Sequence, residues 1–447
     1  MSYIPHSQKD REEMLREIGI SSGNMDELFK GIPEDLRARS FSIPSGRSEY
    51  EVMEHLKELA DRNTTGLVNF VGGGFYDHYI PAAVDALVSR SEFYTAYTPY
   101  QPEASQGTLQ AIYEYQSCIC RLTGMDVSNA SLYDGGTALY EAAMLAIRAT
   151  GRNKIIMDGG VNPIYRKMMY SYTSNLNIEF VDIPVTRDRD YREKIYAHLD
   201  AETAAVILQN PNFFGTIDDH TDISEKCHEK GALVISSVYP ISLGILKTPR
   251  EMDVDITTGE GQSLGIPLSF GGPYLGFMAA KKELARKMPG RIVGATRDAE
   301  GRRGFVLTLQ TREQHIRREK ASSNICSNEA LCALRALIYM SLIGKEGLKK
   351  VARLCLDKTE YARERISGIR DVEVKKEWPT FNEFVVKLPR NPNEVIGKLI
   401  NKGIAAGFPL GRYYSSMEDY LLIAVTEKRT KRDIAIFSDA LEAALWS

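Results

Sequence analysis

The sequence predicts an α/β fold with a mostly parallel sheet. Three observations lead there: five short apolar runs through the middle of the chain, helix-length stretches between them, and glycines clustered where such strands would end. The runs are Lys154–Asp158, Ile178–Asp182, Ala204–Leu208, Ala232–Ser236 and Leu275–Ala279, each continuous enough to be a strand covered on both faces. The stretch Thr221–Lys230, stopped by Gly231, illustrates the helices that separate them.

Three parts follow along the chain. Residues 1–63 are polar and helical in pattern, with breaks at Gly19, Gly23, Gly31 and Pro33, and read as an extension that wraps a neighbour or partner. Residues 64–326 hold the parallel sheet as a large domain. Residues 327–447 form a smaller α/β domain: a long helical stretch to Ser367 interrupted near Gly344–Gly347, short strands at Phe381–Leu388, Ala405 and Tyr420–Val425, and a closing helix Lys431–Trp446.

Composition narrows the function. With 447 residues, a net charge of −3, 43% hydrophobic and 26% charged residues, the chain has an ordinary globular make-up and not that of a general nucleic-acid or membrane-surface binder. No apolar run approaches the roughly 20 residues of a membrane helix, and no signal-peptide pattern opens the chain, so a cytoplasmic location is expected. The six cysteines lack CxxC spacing and the seven histidines lack HExxH, so no metal site is expected.

Open parallel sheets bind ligands at the carboxyl ends of their strands. One such end is Tyr133-Asp134-Gly135-Gly136-Thr137, which opens a helix Ala138–Thr150 closed by Gly151. Free N–H groups and the helix dipole there suit a phosphate, although a tight turn with Thr137 as N-cap explains the same residues. Asn210 in Gln209-Asn210-Pro211-Asn212 marks a second end and Ser236-Ser237 a third. Two further features stand apart. Tyr94, Tyr97 and Tyr100 recur at a spacing of three among prolines, with Thr98, Gln101 and Glu103 between and after them, which reads as a loop displaying phenols as readily as helix packing. The run Thr311–Lys320 is dense in charge; usually a solvated face, it offers Arg312, His315 and Arg317 for anion contacts.

The strand pattern resembles that of the pyridoxal-phosphate (PLP) enzymes of the aspartate-aminotransferase-like fold, fold type I. In that family an Asp at the end of the βαβ stretch pairs with the pyridine nitrogen, and the Schiff-base lysine follows about two dozen residues later. Here the first position falls on Ser236 or Ser237 and the second near Gln262, with no lysine between Lys247 and Lys281. A hydroxyl cannot hold the pyridinium charge, nor an amide form a Schiff base. Asp134, Gly135, Gly136, Thr137, Asn210, Ser236, Ser237 and Gln262 would then outline a degenerate cofactor pocket.

Longer motifs sharpen the resemblance. Tyr94–Gln106 (YTAYTPYQPEASQ), Asn129–Ala138 (NASLYDGGTA), Gly259–Gly276 (GEGQSLGIPLSFGGPYLG), Thr311–Asn324 (TREQHIRREKASSN) and Ala424–Arg432 (AVTEKRTKR) resemble the glycine cleavage system P-protein family, in its N-terminal-half or α-subunit form. The resemblance implies a split enzyme, an α₂β₂ heterotetramer whose β subunit carries PLP on the lysine that this chain lacks. It implies glycine decarboxylation through a PLP aldimine on that partner, with transfer of the aminomethyl group to the lipoyl group of H protein. Tyr94, Tyr97, Thr98, Tyr100, Gln101 and Glu103, with Arg312, His315 and Arg317, are then candidates to line the partner's site. A self-sufficient PLP enzyme using another lysine, and a non-catalytic scaffold subunit, are the competing expectations.

Overall fold

The computed structural model describes residues 5–38, 40–185, 190–269, 271–325 and 327–446. The chain forms two compact units, 1–65 and 66–447. In the first, helices Gln8–Glu17 (α1) and Glu49–Ala60 (α2) are each opened by a serine, Ser7 and Ser48, whose hydroxyl accepts from the third helical N–H while that residue's carboxylate reaches back. Helix α2 buries none of its residues within its own unit.

The second unit starts with Val68–Asn69 (β1), then Ala82–Val88 (α3), the single turn Ser91–Tyr94 (α4) and the long helix Gln106–Thr123 (α5). A seven-stranded sheet follows, from Val127–Ser128 (β2), Lys154–Asp158 (β3), Glu179–Ile183 (β4), Thr203–Asn210 (β5), Leu233–Val238 (β6), Ile256–Glu260 (β7) and Gly276–Ala280 (β8). Its spatial order is β2-β8-β7-β6-β5-β3-β4, with β3 to β7 parallel and β8 antiparallel to both its neighbours. The five expected strands are all present, each within a residue or two of its expected bounds; four are covered on both faces and so apolar along most of their length, while β4 at the sheet edge is partly open. Helices Gly135–Thr150 (α6), Pro163–Thr173 (α7), Tyr191–His198 (α8) and Thr221–Glu229 (α9) connect them. Met157, Ile207, Ile235 and Met278 pack under α6 in one buried cluster, and Ile156, Val206, Leu208 and Val234 form another on the opposite face.

Beyond the sheet, Ile292–Arg297 (β9) and Arg303–Thr308 (β10) make an antiparallel hairpin that the sequence reading did not contain. Its apolar residues alternate, with Phe305 and Leu307 buried between more open neighbours, so no continuous run announces it. The turn Gln314–Arg317 (α10) comes next. Ala330–Ser367 (α11) is broken at Gly344, whose φ of +59° lies in the left-handed region. The chain ends with Glu373–Val374 (β11), Glu383–Lys387 (β12), helix Pro392–Ile400 (α12), Ile404–Ala405 (β13), Phe408–Pro409 (β14), Tyr420–Ala424 (β15) and helix Lys431–Trp446 (α13). Strands β11-β12-β15-β14 form an antiparallel sheet, and β13 pairs in parallel with β1. Among the described residues no helix is long and apolar enough to cross a membrane.

Candidate functional site

The carboxyl end of the parallel sheet brings the expected cofactor frame together, and the frame is filled from within. Helix α6 begins there, but its N-cap is Asp134, whose carboxylate accepts from Thr137 N–H (2.8 Å) and from the Thr137 hydroxyl (3.0 Å). This corrects the expectation that Thr137 is the cap: a carboxylate three residues back meets the free N–H more directly than a hydroxyl already inside the helix. The next free donor, Gly135 N–H, is taken by Glu260 Oε2 at 2.9 Å. Glu260 Oε1 accepts from the N–H groups of Gln262 (2.9 Å) and Leu275 (3.1 Å). A protein carboxyl thus stands where an anionic ligand would meet the helix N-terminus. Burial pushes this carboxyl up to about 8 despite its three N–H donors, with the Asp134 charge adding to the rise.

Side chains close the cup over that carboxyl. A Cβ at Gly135 would stand 2.6 Å from Tyr165 Oη and 3.0 Å from Glu260 Cβ, and one at Gly136 would stand 2.6 Å from Met168 Sδ. The two glycines therefore admit Tyr165 and Met168 to the place where an open cup would admit phosphate. Glu383, on β12, fills the other side: its carboxylate accepts from Gly73 N–H (2.6 Å) and the Tyr76 hydroxyl (2.7 Å), and burial pushes it up to about 7.

Gln262, at the expected lysine position, is fully bonded. Its amide donates to the carbonyls of Tyr76 (3.1 Å) and Ile266 (2.8 Å), and its oxygen accepts from Tyr76 N–H (2.9 Å). Ser236 and Ser237 are buried at the end of β6, and the Ser236 hydroxyl has no hydrogen-bond partner among the described residues. Asn210 turns the chain after β5, donating to and accepting from the backbone of Asp218 (2.8 and 3.1 Å). About 30 Å³ of empty space remains, lined by Tyr76, Tyr165, Ser237, Tyr239, Glu260, Asn382 and Glu383 among others, and by no lysine. Ligand sites begin at several hundred Å³, so the space left in this frame is too small for PLP. The residues present do not fit that cofactor. Sequence reasoning missed Glu260, Glu383, Tyr76 and Tyr165; the acid two residues before Gln262, beside a glycine-opened helix, is the signal that was there to read.

Above the cup, Tyr239 is pinned by a buried network. Its hydroxyl bonds His78 Nε2, His78 Nδ1 bonds Glu427 Oε2 at 2.6 Å, and Cys355 Sγ lies 3.6 Å from the same oxygen. Three ligand-type atoms thus come within 4.8 Å of one another, and each is engaged in a hydrogen bond that holds the network shut. Cys118, Cys120, Cys227, Cys332 and Cys355 are free thiols, and Cys326 lies outside the described residues.

The tyrosine loop is the opposite kind of place. Tyr94 is 68%, Tyr97 81% and Tyr100 47% exposed, and Gln101 and Glu103 are exposed beside a half-buried Thr98. Tyr94 ends α4; Tyr97 and Tyr100 follow on irregular backbone. Among the described residues Tyr100 is the tyrosine of the three with a side-chain hydrogen bond: buried Arg291 donates Nη2 to its hydroxyl at 2.9 Å and lies over its ring at 5.3 Å. His315 meets the same ring edge-on at 6.2 Å, so the charge-dense run and the tyrosine loop share one surface. Of the run's candidates, His315 and Arg317 are exposed. Arg312 is buried and donates to three carbonyls, those of Leu309, Met288 and Gly290. Its guanidinium knits the β9 strand end to the turn after β10.

Comparison with known proteins gives this arrangement a context. A family model described as glycine cleavage system P-protein matches residues 1–441. Proteins of Geotalea daltonii and Maridesulfovibrio salexigens, each named "Probable glycine dehydrogenase (decarboxylating) subunit 1", are 56% and 55% identical over 447 and 445 residues, covering the whole of both chains. A crystal structure of glycine decarboxylase (P-protein) of the glycine cleavage system, in inhibitor-bound form, superposes with a TM-score of 0.91 at 39% identity over 100% of each chain. A glutamate decarboxylase from Lactobacillus brevis, at 13% identity over 92% of this chain and 96% of its own, shares the fold with a TM-score of 0.68.

Proposed function

The chain belongs to the glycine cleavage system P-protein family, and we propose that within a glycine dehydrogenase (decarboxylating) it is the subunit that completes the active site without holding the cofactor. The family role is glycine cleavage, and the chain is an enzyme subunit with a PLP-type fold. The observation that carries the finer reading is the filled cup: Glu260 on the Gly135 N–H, Tyr165 and Met168 over the helix start, and a fully bonded Gln262 at the lysine position.

On this reading PLP belongs to a second, lysine-bearing subunit, where it supplies the electron sink for decarboxylation. The present chain offers that subunit a surface of displayed phenols. Tyr94 and Tyr97 reach outward while Arg291 holds Tyr100 at the base of the loop. Phenols so placed orient a small substrate by hydrogen bonding and exclude water from the pocket they cover. A heterotetramer of two such pairs, acting in the cytoplasm and passing the aminomethyl group to the lipoyl group of H protein, is the assembly that the family resemblance supports.

Reconstitution tests it. The purified chain mixed with PLP alone is expected to show no Schiff-base absorbance. With the lysine-bearing subunit, PLP, glycine and lipoyl H protein, CO₂ release is expected, and it should vanish when either subunit is omitted. Turnover by this chain without the partner overturns the proposal.

A further inference from the structure

A second cavity lies apart from the filled cup. About 350 Å³ lies open between the carboxyl ends of β3 and β5 and the antiparallel sheet, a volume within the range of small-molecule sites. Its chemistry is divided. At one end stands Asp158, the last residue of β3, with Oδ2 accepting the N–H of Gly160 at 3.1 Å and the carboxylate further steadied by the Gly159 N–H. Among the described residues no lysine or arginine forms an ion pair with Asp158; Arg166, whose charge it feels, is bonded to Asp182 instead (3.0 Å). Burial pushes the Asp158 carboxyl up to about 6, and the Arg166 charge holds it back from rising further. Phe214, Val385, Met417 and Tyr420 supply apolar walls.

Lysines mark another part of the lining. Among the described residues Lys387 makes long pairs with Glu373 (3.5 Å) and Asp419 (3.8 Å), and Lys375 one with Glu377 (3.8 Å). Ammonium groups held this loosely at partly exposed positions can turn toward a carboxylate at little cost.

We propose that this cavity binds an α-amino acid with a bulky apolar side chain, its ammonium group on Asp158, its carboxylate toward Lys375 and Lys387, and its side chain against Phe214, Val385 and Met417. Glycine would leave most of the volume empty and forgo the apolar contacts, so the site is selective against the smallest amino acid. The inference does not depend on where PLP is held.

The chain contains two tryptophans, and one of them, Trp378, lines the cavity. The other, Trp446, is exposed, so W446F in the full-length chain leaves Trp378 as the reporter. Its emission is titrated with L-phenylalanine, L-leucine, glycine, phenethylamine and N-acetyl-L-phenylalanine. Saturable binding of the two bulky amino acids is expected, weakened by about tenfold or more when either charge of the ligand is removed. Asp158→Asn should weaken L-phenylalanine by a similar factor of about ten and leave N-acetyl-L-phenylalanine unchanged. Because Asp158 is half-buried at the strand end, the double variant Lys375→Gln with Lys387→Gln provides the second arm; it should weaken L-phenylalanine and not phenethylamine. The proposal is overturned by no saturable binding up to about 10 mM, by equal affinity for glycine and phenylalanine, or by charge substitutions at both ends that leave affinity unchanged.

Discussion

The cup at the start of α6 and the tyrosine loop before α5 are both built from family motifs, yet they use polar groups in opposite ways. In the cup, Glu260, Glu383, Gln262 and Tyr76 are buried and engage one another or the backbone around them. In the loop, Tyr94 and Tyr97 stand in solvent, and among the described residues Tyr100 is the tyrosine of the three with a side-chain hydrogen bond. The difference teaches where to look for function on a chain whose expected cofactor frame is filled by its own side chains. Groups satisfied internally hold the fold; groups displayed at the surface are the ones a partner can use. Substitutions in the cup should therefore move stability, and substitutions in the loop should move rate.

The sharpest test of the first half is Gln262→Leu. It removes two donated hydrogen bonds and one accepted one, leaving Tyr76 N–H and the Ile266 carbonyl without these partners in a buried place. At about 1–3 kcal/mol for each unsatisfied group, a loss of roughly 2–6 kcal/mol is expected in urea denaturation of the isolated chain. Complex reconstituted from the fraction that remains folded should turn over normally. Full stability with lost turnover would place Gln262 among the working residues and break the comparison.

Tyr97→Ala tests the second half. At 81% exposure the ring contributes little to folding, and a change within about 0.5 kcal/mol is expected. Glycine–bicarbonate exchange by the reconstituted complex should fall about tenfold or more, equivalent to roughly 1.4 kcal/mol of transition-state stabilisation. Tyr97→Phe separates the hydroxyl from the ring. Unchanged exchange in both variants removes Tyr97 from the site, whereas loss of complex assembly with normal turnover in whatever complex remains makes the loop a scaffold.

Glu260 allows the cup to be read by pH. Its carboxyl is pushed up to about 8, with Asp134, Tyr165 and Tyr115 as its titratable neighbours. An acid whose pKa is raised by folding binds its proton more tightly in the folded state. Its contribution is complete below the unfolded value near 4.3 and declines as pH rises toward 8, by at most about 1.4 kcal/mol per unit. The melting temperature should therefore fall with pH across that window, and less steeply in Glu260→Gln. Glu383, pushed up to about 7, acts with the same sign and persists in the variant, so the slope flattens without vanishing. Parallel profiles for the two proteins would mean that the carboxyl is ionised in the cup.

How much of this was legible in the sequence follows from the same contrast. Strands β3, β5, β6 and β8 were readable because burial writes them as near-continuous apolar runs, and the edge strand β4 because its sequence is also largely apolar, while β7, with two threonines and a glycine, and the half-open, alternating β9–β10 hairpin were not. Pro99 and Pro102 marked the tyrosine stretch as a displayed loop. The lack of lysine at Gln262 was plain, but what replaced the cofactor was not. Glu260 and Glu383 are 123 residues apart in sequence and Gly135 is as far again from Glu260, so only the fold brings these groups to one cup. Asp158 was read as the end of a strand; the cavity beyond it needs the antiparallel sheet to form its far wall.

Tyr100 sits between the two classes, and Tyr100→Phe decides on which side it falls. The variant keeps the ring under the Arg291 guanidinium and removes the hydroxyl that accepts Nη2–H. Arg291 is buried, so the freed donor has little access to water, and a loss of about 1 kcal/mol from folding is expected. The cation–π contact survives, which keeps the loop close to its position and limits the fall in exchange to less than that of Tyr97→Ala. A small loss of both stability and rate identifies Tyr100 as the anchor through which the cup-like interior steadies the displayed phenols. If stability is unchanged and exchange falls as far as for Tyr97→Ala, the hydroxyl works on the substrate side, and the boundary between the two regions runs through Arg291 instead.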